Sequence, residues 1–195
     1  MKRFADEVYW GKPIPSFGDP KARLLIVGLA PAAHGGNRTG RMFTGDNSGN
    51  WLFRALHKAG FANQSTSVHR NDGLKLTDCY ITAALRCAPP LNKPTPNEIL
   101  NCKPFLLKEI SLLKNIRVVV GLGKIGFEAA VNAYREAGKI AVTVKPKFGH
   151  CALYDFDGLT FIASFHPSQQ NTFTGRLTEK MLDDVFLSAV KILGR

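Results

Sequence analysis

The sequence predicts an α/β fold, a three-layer α/β/α arrangement around a central four-stranded parallel sheet. Three observations predict it. Four short apolar runs of strand length recur along the chain, stretches of helical character alternate with them, and 195 residues suit a single domain spanning 1–195 rather than two.

Taken in order, residues 1–20 carry Gly11, Pro13, Pro15, Gly18 and Pro20 and read as an irregular lead-in across the surface. Residues 23–29 are the first strand, an apolar run closed by Gly28 and then Pro31. The same pattern returns at 79–85, 117–122 and 159–165, and near-continuous apolar runs are what parallel strands buried on both faces require. Helices are expected at 51–59, 96–113, 125–137 and 177–193. The second has the clearest start, because Thr95 can cap it, Pro96 suits its first turn and Glu98 completes a Thr-x-x-Glu capping box. Two long loops rich in Gly, Asn, Thr and Arg, 30–50 and 166–176, follow the first and fourth strands, and the loop 86–93 follows the second. Ligands of open α/β sheets bind beyond the carboxyl ends of the strands, so the three loops are expected to line one site.

Composition narrows the function. Hydrophobic residues make 45% and charged residues 21%, the balance of a folded chain and not of a disordered one. No apolar run approaches the length of a membrane span, and residues 1–10 lack the apolar core of a secretory leader, so a cytoplasmic setting without membrane contact is expected. Lys and Arg number 26 against 15 Asp and Glu, a formal charge of +11 that suits a polyanionic partner or a solubilising surface. Cys79, Cys87, Cys102 and Cys151 match neither a zinc spacing nor a disulfide framework, and each can be a small buried hydrophobe.

The first loop reads Gly-Leu-Ala-Pro-Ala-Ala-His-Gly-Gly-Asn-Arg-Thr-Gly-Arg at 28–41, then Met-Phe-Thr-Gly-Asp at 42–46. The last reads His-Pro-Ser-Gln-Gln-Asn-Thr-Phe-Thr-Gly-Arg at 166–176, and Arg-Cys-Ala-Pro-Pro-Leu-Asn-Lys-Pro stands between them at 86–94. In this order and on these strand ends, the motifs resemble those of the uracil-DNA glycosylase superfamily, family 5, from about Tyr9 to the carboxyl terminus. The resemblance implies hydrolysis of the N-glycosidic bond of uracil in DNA, leaving an abasic site for base-excision repair.

The residue types suit that chemistry. Breaking the bond through an oxocarbenium-like state puts positive charge on the sugar and negative charge on the departing base. Asp46 is the only acid between Pro20 and Asn71, and its carboxylate can orient a water or offset the sugar cation; a turn aspartate or a helix cap is the alternative. His166 can donate from a neutral imidazole to the uracil oxygen where negative charge develops. Asn171 can position the water or hold Asp46, and both it and Asn92, a candidate for a base edge, can also be plain loop asparagines. Gly28, Ala30, His34, Phe43 and Asn92 are expected around the base, with Phe43 stacking on it or else serving as a core aromatic. Arg38, Arg41, Lys93, Ser168 and Arg176 are expected on the DNA backbone.

Three departures qualify the resemblance. Ala30, Ala32 and Ala33 stand where other branches carry a polar Asp or Asn, and Thr82-Ala83-Ala84 stands where they read uracil with an Asn, which implies tolerance of other deaminated bases such as hypoxanthine. Gln169 and Gln170 replace an apolar wedge, so a glutamine or Phe173 has to fill the gap left by a flipped base. The resemblance further implies a 4Fe-4S cluster on four cysteines, two of them matching Cys87 and Cys102, while the amino-terminal pair is not in this sequence. A shortened chain, substitution by Cys79 and Cys151, and loss of the cluster are the three explanations, and the first is preferred.

Two other functions compete. Gly121, Gly123 and Gly126 form a GxGxxG after a strand, yet residues 137–154 contain no acid to hold a ribose, which disfavours a nicotinamide cofactor; tight strand-to-helix packing explains the glycines. A non-catalytic nucleic-acid binder keeps the charge and makes Asp46 incidental. The reading adopted is a monofunctional, monomeric glycosylase acting on uracil-containing DNA, with no lysine placed for a Schiff base.

Overall fold

A computed structural model describes residues 4–144 and 146–195. Positions 1–3 of the expected lead-in lie outside the described residues. The strands are β1 (Phe17–Gly18), β2 (Leu24–Gly28), β3 (Cys79–Ala83), β4 (Val118–Leu122), β5 (Leu153–Phe156) and β6 (Leu159–Ser164). The helices are α1 (Gly36–Thr39), α2 (Asn47–Lys58), α3 (Pro96–Leu112), α4 (Gly123–Glu136), α5 (Gln169–Phe173) and α6 (Glu179–Leu193), with a 3-10 turn at Pro90–Asn92.

The sheet order is β1-β3-β2-β4-β6-β5. The four expected strands form its parallel centre, with Leu24 opposite both Cys79 and Val118, and Val118 opposite Thr160. The expectation of four strands is corrected to six, because an antiparallel strand closes each edge. β1 is two residues inside the Gly- and Pro-rich lead-in, too short to leave an apolar pattern. β5 alternates exposed and half-covered residues and turns into β6 through Asp157 and Gly158, both at positive φ, as a two-residue hairpin requires.

Alternate strand residues serve opposite faces. Leu24, Ile26, Val118 and Val120 pack with Leu52 and Leu56 of α2 and Leu182 and Phe186 of α6. Leu25, Val27, Val119 and Phe161 pack with Ile110 of α3 and Phe127 and Tyr134 of α4. The glycine fingerprint is a packing device. A Cβ at Gly126 would stand 2.5 Å from the Val27 carbonyl oxygen, and one at Gly121 would stand 2.4 Å from Phe127 Cα, so α4 lies directly on the sheet only because both are absent.

Helix starts shift where capping overrides propensity. The capping box of α3 forms: Glu98 N–H donates to Thr95 Oγ1 at 3.2 Å, and Thr95 N–H donates to Glu98 Oε2 at 2.7 Å. α2 begins at Asn47, four residues before the expected start, because Asp46 caps it although Asn47, Gly49 and Asn50 are poor helix formers. The lead-in is bound as well as irregular, with Trp10 N–H and Gly11 N–H donating to the Arg38 and Asn37 carbonyls. Among the described residues no helix is long and apolar enough to cross a membrane.

Candidate functional site

The loops after β2, β3 and β6 converge beyond the carboxyl ends of the parallel strands. Ala84 and Leu85 N–H donate to the Gly28 and Leu29 carbonyls at 2.9 and 3.0 Å, so the third loop leaves the sheet beside the first. Asn47 Nδ2 donates to Thr172 Oγ1 at 3.4 Å and ties the first loop to the last. Next to the last loop lies a cleft of about 290 Å³. Leu29, Leu122, Ile125, Phe148 and Phe165 give it apolar walls, and Lys124, His166, Asn171 and Arg176 supply its polar edge.

Asp46 is half-buried and held in one orientation. As the cap of α2 its Oδ1 accepts from Gly49 N–H at 2.9 Å, while Oδ2 lies so close to Gly35 that a Cβ there would stand 2.0 Å away. Burial pushes its carboxyl pKa up from the ordinary value, against the pull of the Gly49 and Ser48 amides and the Arg38 charge. The helix-cap alternative therefore holds, and it is what aims the carboxylate.

His166 follows β6 at a point where Gly123, at φ 79°, leaves room for it. It is only partly covered at the surface yet densely surrounded, and burial holds its pKa down to about 4, so the imidazole is neutral at physiological pH and can donate a hydrogen bond. Asn171 Nδ2 donates to the His166 carbonyl at 2.8 Å and thereby shapes the histidine's own loop. Ser168 caps α5, its Oγ accepting from Asn171 N–H.

Phe43 links the two centres. It is 9% exposed, with its ring against Gly28, where a Cβ would stand 2.8 Å from Cζ, and roughly parallel to the His166 ring at 5.9 Å. Phe43 packs with the core and backs His166, and Phe165 and Phe148 are the aromatics that line the cleft. Sequence reading missed both, and also Lys124, because an aromatic at a strand end looks like any core residue and Lys124 sat inside the glycine fingerprint.

Two arginines expected on DNA are engaged within the protein. Arg41 is 4% exposed; it donates to Thr44 Oγ1 and Ser67 Oγ and pairs with Asp72 at 2.7 Å, bracing the loop from inside. Burial alone would raise the Asp72 pKa, but Arg41 and the Leu74 and Val68 amides hold it down to about 2. Arg38 pairs with Glu7, donates to the His34 and Gly45 carbonyls and lies over the Phe4 ring at 4.3 Å, so its charge serves Asp46 and the lead-in. His34 is exposed and engaged by the Tyr9 hydroxyl at 2.6 Å; like Asp46 and Phe43, it does not line the cleft. Arg176 does border the cleft, 4.7 Å over Phe165. Ala30 is half-buried in the first loop, and Asn92 and Lys93 are exposed on the third, Asn92 at φ 55°. None of these three lines the cleft.

Residues 15–189 match the model of the uracil DNA glycosylase superfamily. The chain belongs to this superfamily. It is 50% identical over 195 residues to a type-5 uracil-DNA glycosylase of Mycobacterium tuberculosis, covering 99% of this chain and 71% of that one. A type-5 uracil-DNA glycosylase of Thermus thermophilus is 46% identical over 194 residues, covering 99% and 86%. A type-4 uracil-DNA glycosylase of Thermotoga maritima is 30% identical over 152 residues.

The 4Fe-4S cluster that the superfamily resemblance implies would draw on Cys87 and Cys102. Cys87 and Cys102 lie close enough for the charge on one to disfavour charge on the other. Cys79 is sealed within β3, where burial drives its thiol pKa far up, and Cys151 packs beside β6 through its own N–H to the Ala163 carbonyl. Among the described residues no group of three or more metal-binding side chains is found, and a four-thiolate cluster takes two cysteines beyond Cys87 and Cys102.

Proposed function

We propose that this chain is a type-5 uracil-DNA glycosylase, which draws uracil out of DNA and hydrolyses its N-glycosidic bond, leaving an abasic site in base-excision repair. The observation that carries the proposal is the pair Asp46 and His166, a capped carboxylate and a neutral imidazole on the loops after β2 and β6, the two strands that flank β4, with Phe43 stacked against the His166 ring.

The two groups suit the two charges of the transition state. The neutral His166 ring donates to the uracil oxygen as the bond breaks, where negative charge develops and a fixed donor stabilises it. The Asp46 carboxylate, its Oδ1 fixed by the Gly49 amide, faces the sugar cation and takes the proton of the attacking water. Asn171 holds the His166 carbonyl and keeps that loop in shape. Lys124 and Arg176 at the cleft, with exposed Lys93, meet the DNA phosphates. Exposed Phe173 of α5 fills the gap in the stack.

The proposal extends to hypoxanthine. Thr82 offers no free base-reading group at the end of β3, because its hydroxyl donates to Glu109 Oε2 at 2.6 Å. It also includes action as a monomer in the cytoplasm and hydrolysis without a covalent enzyme intermediate. Borohydride treatment during turnover on deoxyuridine DNA tests that last point: no protein-DNA adduct is expected, and a trapped adduct would contradict it.

A further inference from the structure

His150 has no part in the scheme above, yet it grips the segment that carries His166. Its turn is anchored on β6, with Cys151 N–H donating to the Ala163 carbonyl at 2.8 Å and Ala163 N–H to the Ala152 carbonyl at 2.9 Å. From there Nδ1 accepts the Phe165 N–H at 3.1 Å. The imidazole also lies on the Phe165 ring, 5.0 Å between centroids and 27° from parallel. Arg176 stands over the same ring at 4.7 Å. Phe165 is both a wall of the cleft and the residue immediately before His166.

Because Nδ1 is an acceptor, the neutral ring carries its proton on Nε2. Nε2 is buried toward the Met181 backbone of α6 without a well-formed hydrogen bond. Burial also lowers the His150 pKa and so keeps the accepting form in place, against the opposing influences of the Met181 backbone and of Asp184.

We propose that His150 is a positioning residue for excision: through the Phe165 N–H and the Phe165 ring it fixes the cleft wall and the direction in which His166 points. The inference rests on the glycosylase reading and deepens it. A peptide N–H just past the end of β6 has lost its strand partner, and without His150 the plane of the Phe165 peptide, and with it the first bond of His166, is free to turn. Misplacing a catalytic group by about 1 Å can cost about 100-fold in rate.

The test compares His150→Asn, which keeps an acceptor near the Nδ1 position, with His150→Phe, which keeps the stacked ring and loses the acceptor. On a duplex with one deoxyuridine, His150→Phe is expected to lower the single-turnover excision rate by about 10-fold or more while the dissociation constant for DNA stays within about two-fold. His150→Asn is expected to recover most of that loss. Equal loss in both variants, accompanied by equal loss of thermal stability, would reduce His150 to a packing residue and overturn the proposal, as would full activity in His150→Phe.

A second readout needs no DNA and no activity. Nitrogen-15 NMR of the unaltered chain should find His150 unprotonated at Nδ1, and the Phe165 amide hydrogen should exchange with solvent faster in His150→Phe than in the unaltered chain. A proton on Nδ1, or an unchanged Phe165 exchange rate, refutes the positioning role. If the unaltered chain excises nothing, the glycosylase reading fails on its own while this exchange measurement still decides the role of His150.

Discussion

At the scale of single residues, the same burial that suits Asp46 and His166 to catalysis costs the fold stability, and the two groups do so at opposite ends of the pH range. The Asp46 pKa lies above its ordinary 3.8 when folded, so at neutral pH the unfolded chain holds the charge more easily. Asp46→Asn removes that cost and keeps a good cap. It should abolish most turnover, by about 100-fold or more, while thermal unfolding occurs at the same or a higher temperature and DNA still binds. Asp46→Ala should lose the cap as well and fall by about 1 kcal/mol in denaturant titrations. His166 acts from the acid side. With a folded pKa near 4 against 6.5 unfolded, its contribution is intact above pH 6.5 and lost as pH falls toward 4, up to about 3 kcal/mol. Unfolding followed from pH 7 to pH 4 should show that slope, and His166→Asn should flatten it. Asp46 stood out in the sequence as the lone acid of a basic loop, whereas a lone histidine is more often structural and it was the matching loop 166–176 that singled out His166. Arg41 gave no such signal: a loop arginine does not disclose that its partner, Asp72, lies 31 positions away across a buried pair.

At the scale of elements, the parallel centre and both helical layers could be read from apolar runs, and the box at Thr95 and Glu98 fixed the start of α3 to the residue. The edges were less visible. β1 is too short to show a period, whereas Asp157-Gly158 is a hairpin signal in its own right, hidden by the half-exposed pattern of β5. The Asp46 loop depends on two internal supports. A Cβ at Gly35 would overlap Asp46 Oδ2, so Gly35→Ala should turn the carboxylate and lower excision by about 10-fold or more with DNA affinity kept. Arg41→Met would leave Asp72 as an unpaired charge and should destabilise the fold by about 3 kcal/mol in denaturant titrations. It should leave the salt dependence of DNA binding unchanged, since Arg41 does not reach solvent.

At the scale of the whole molecule, a formal charge of +11 pointed to a polyanion, but net charge could not say which cations meet it. Folding sorted them: Arg38 and Arg41 turned inward, while Lys124 and Arg176 border the cleft. Each phosphate contact adds about one to the slope of log affinity against log salt, so Lys124→Ala and Arg176→Ala should each reduce that slope by about one. The central claim is tested most directly by incubating this chain with a duplex carrying one deoxyuridine opposite guanine, beside a thymine control, and cleaving abasic sites with alkali. Strand cleavage confined to the uracil position, and lost in Asp46→Asn, is the predicted result. An uncut duplex that the chain nonetheless binds would contradict it and leave a nucleic-acid-binding protein in its place.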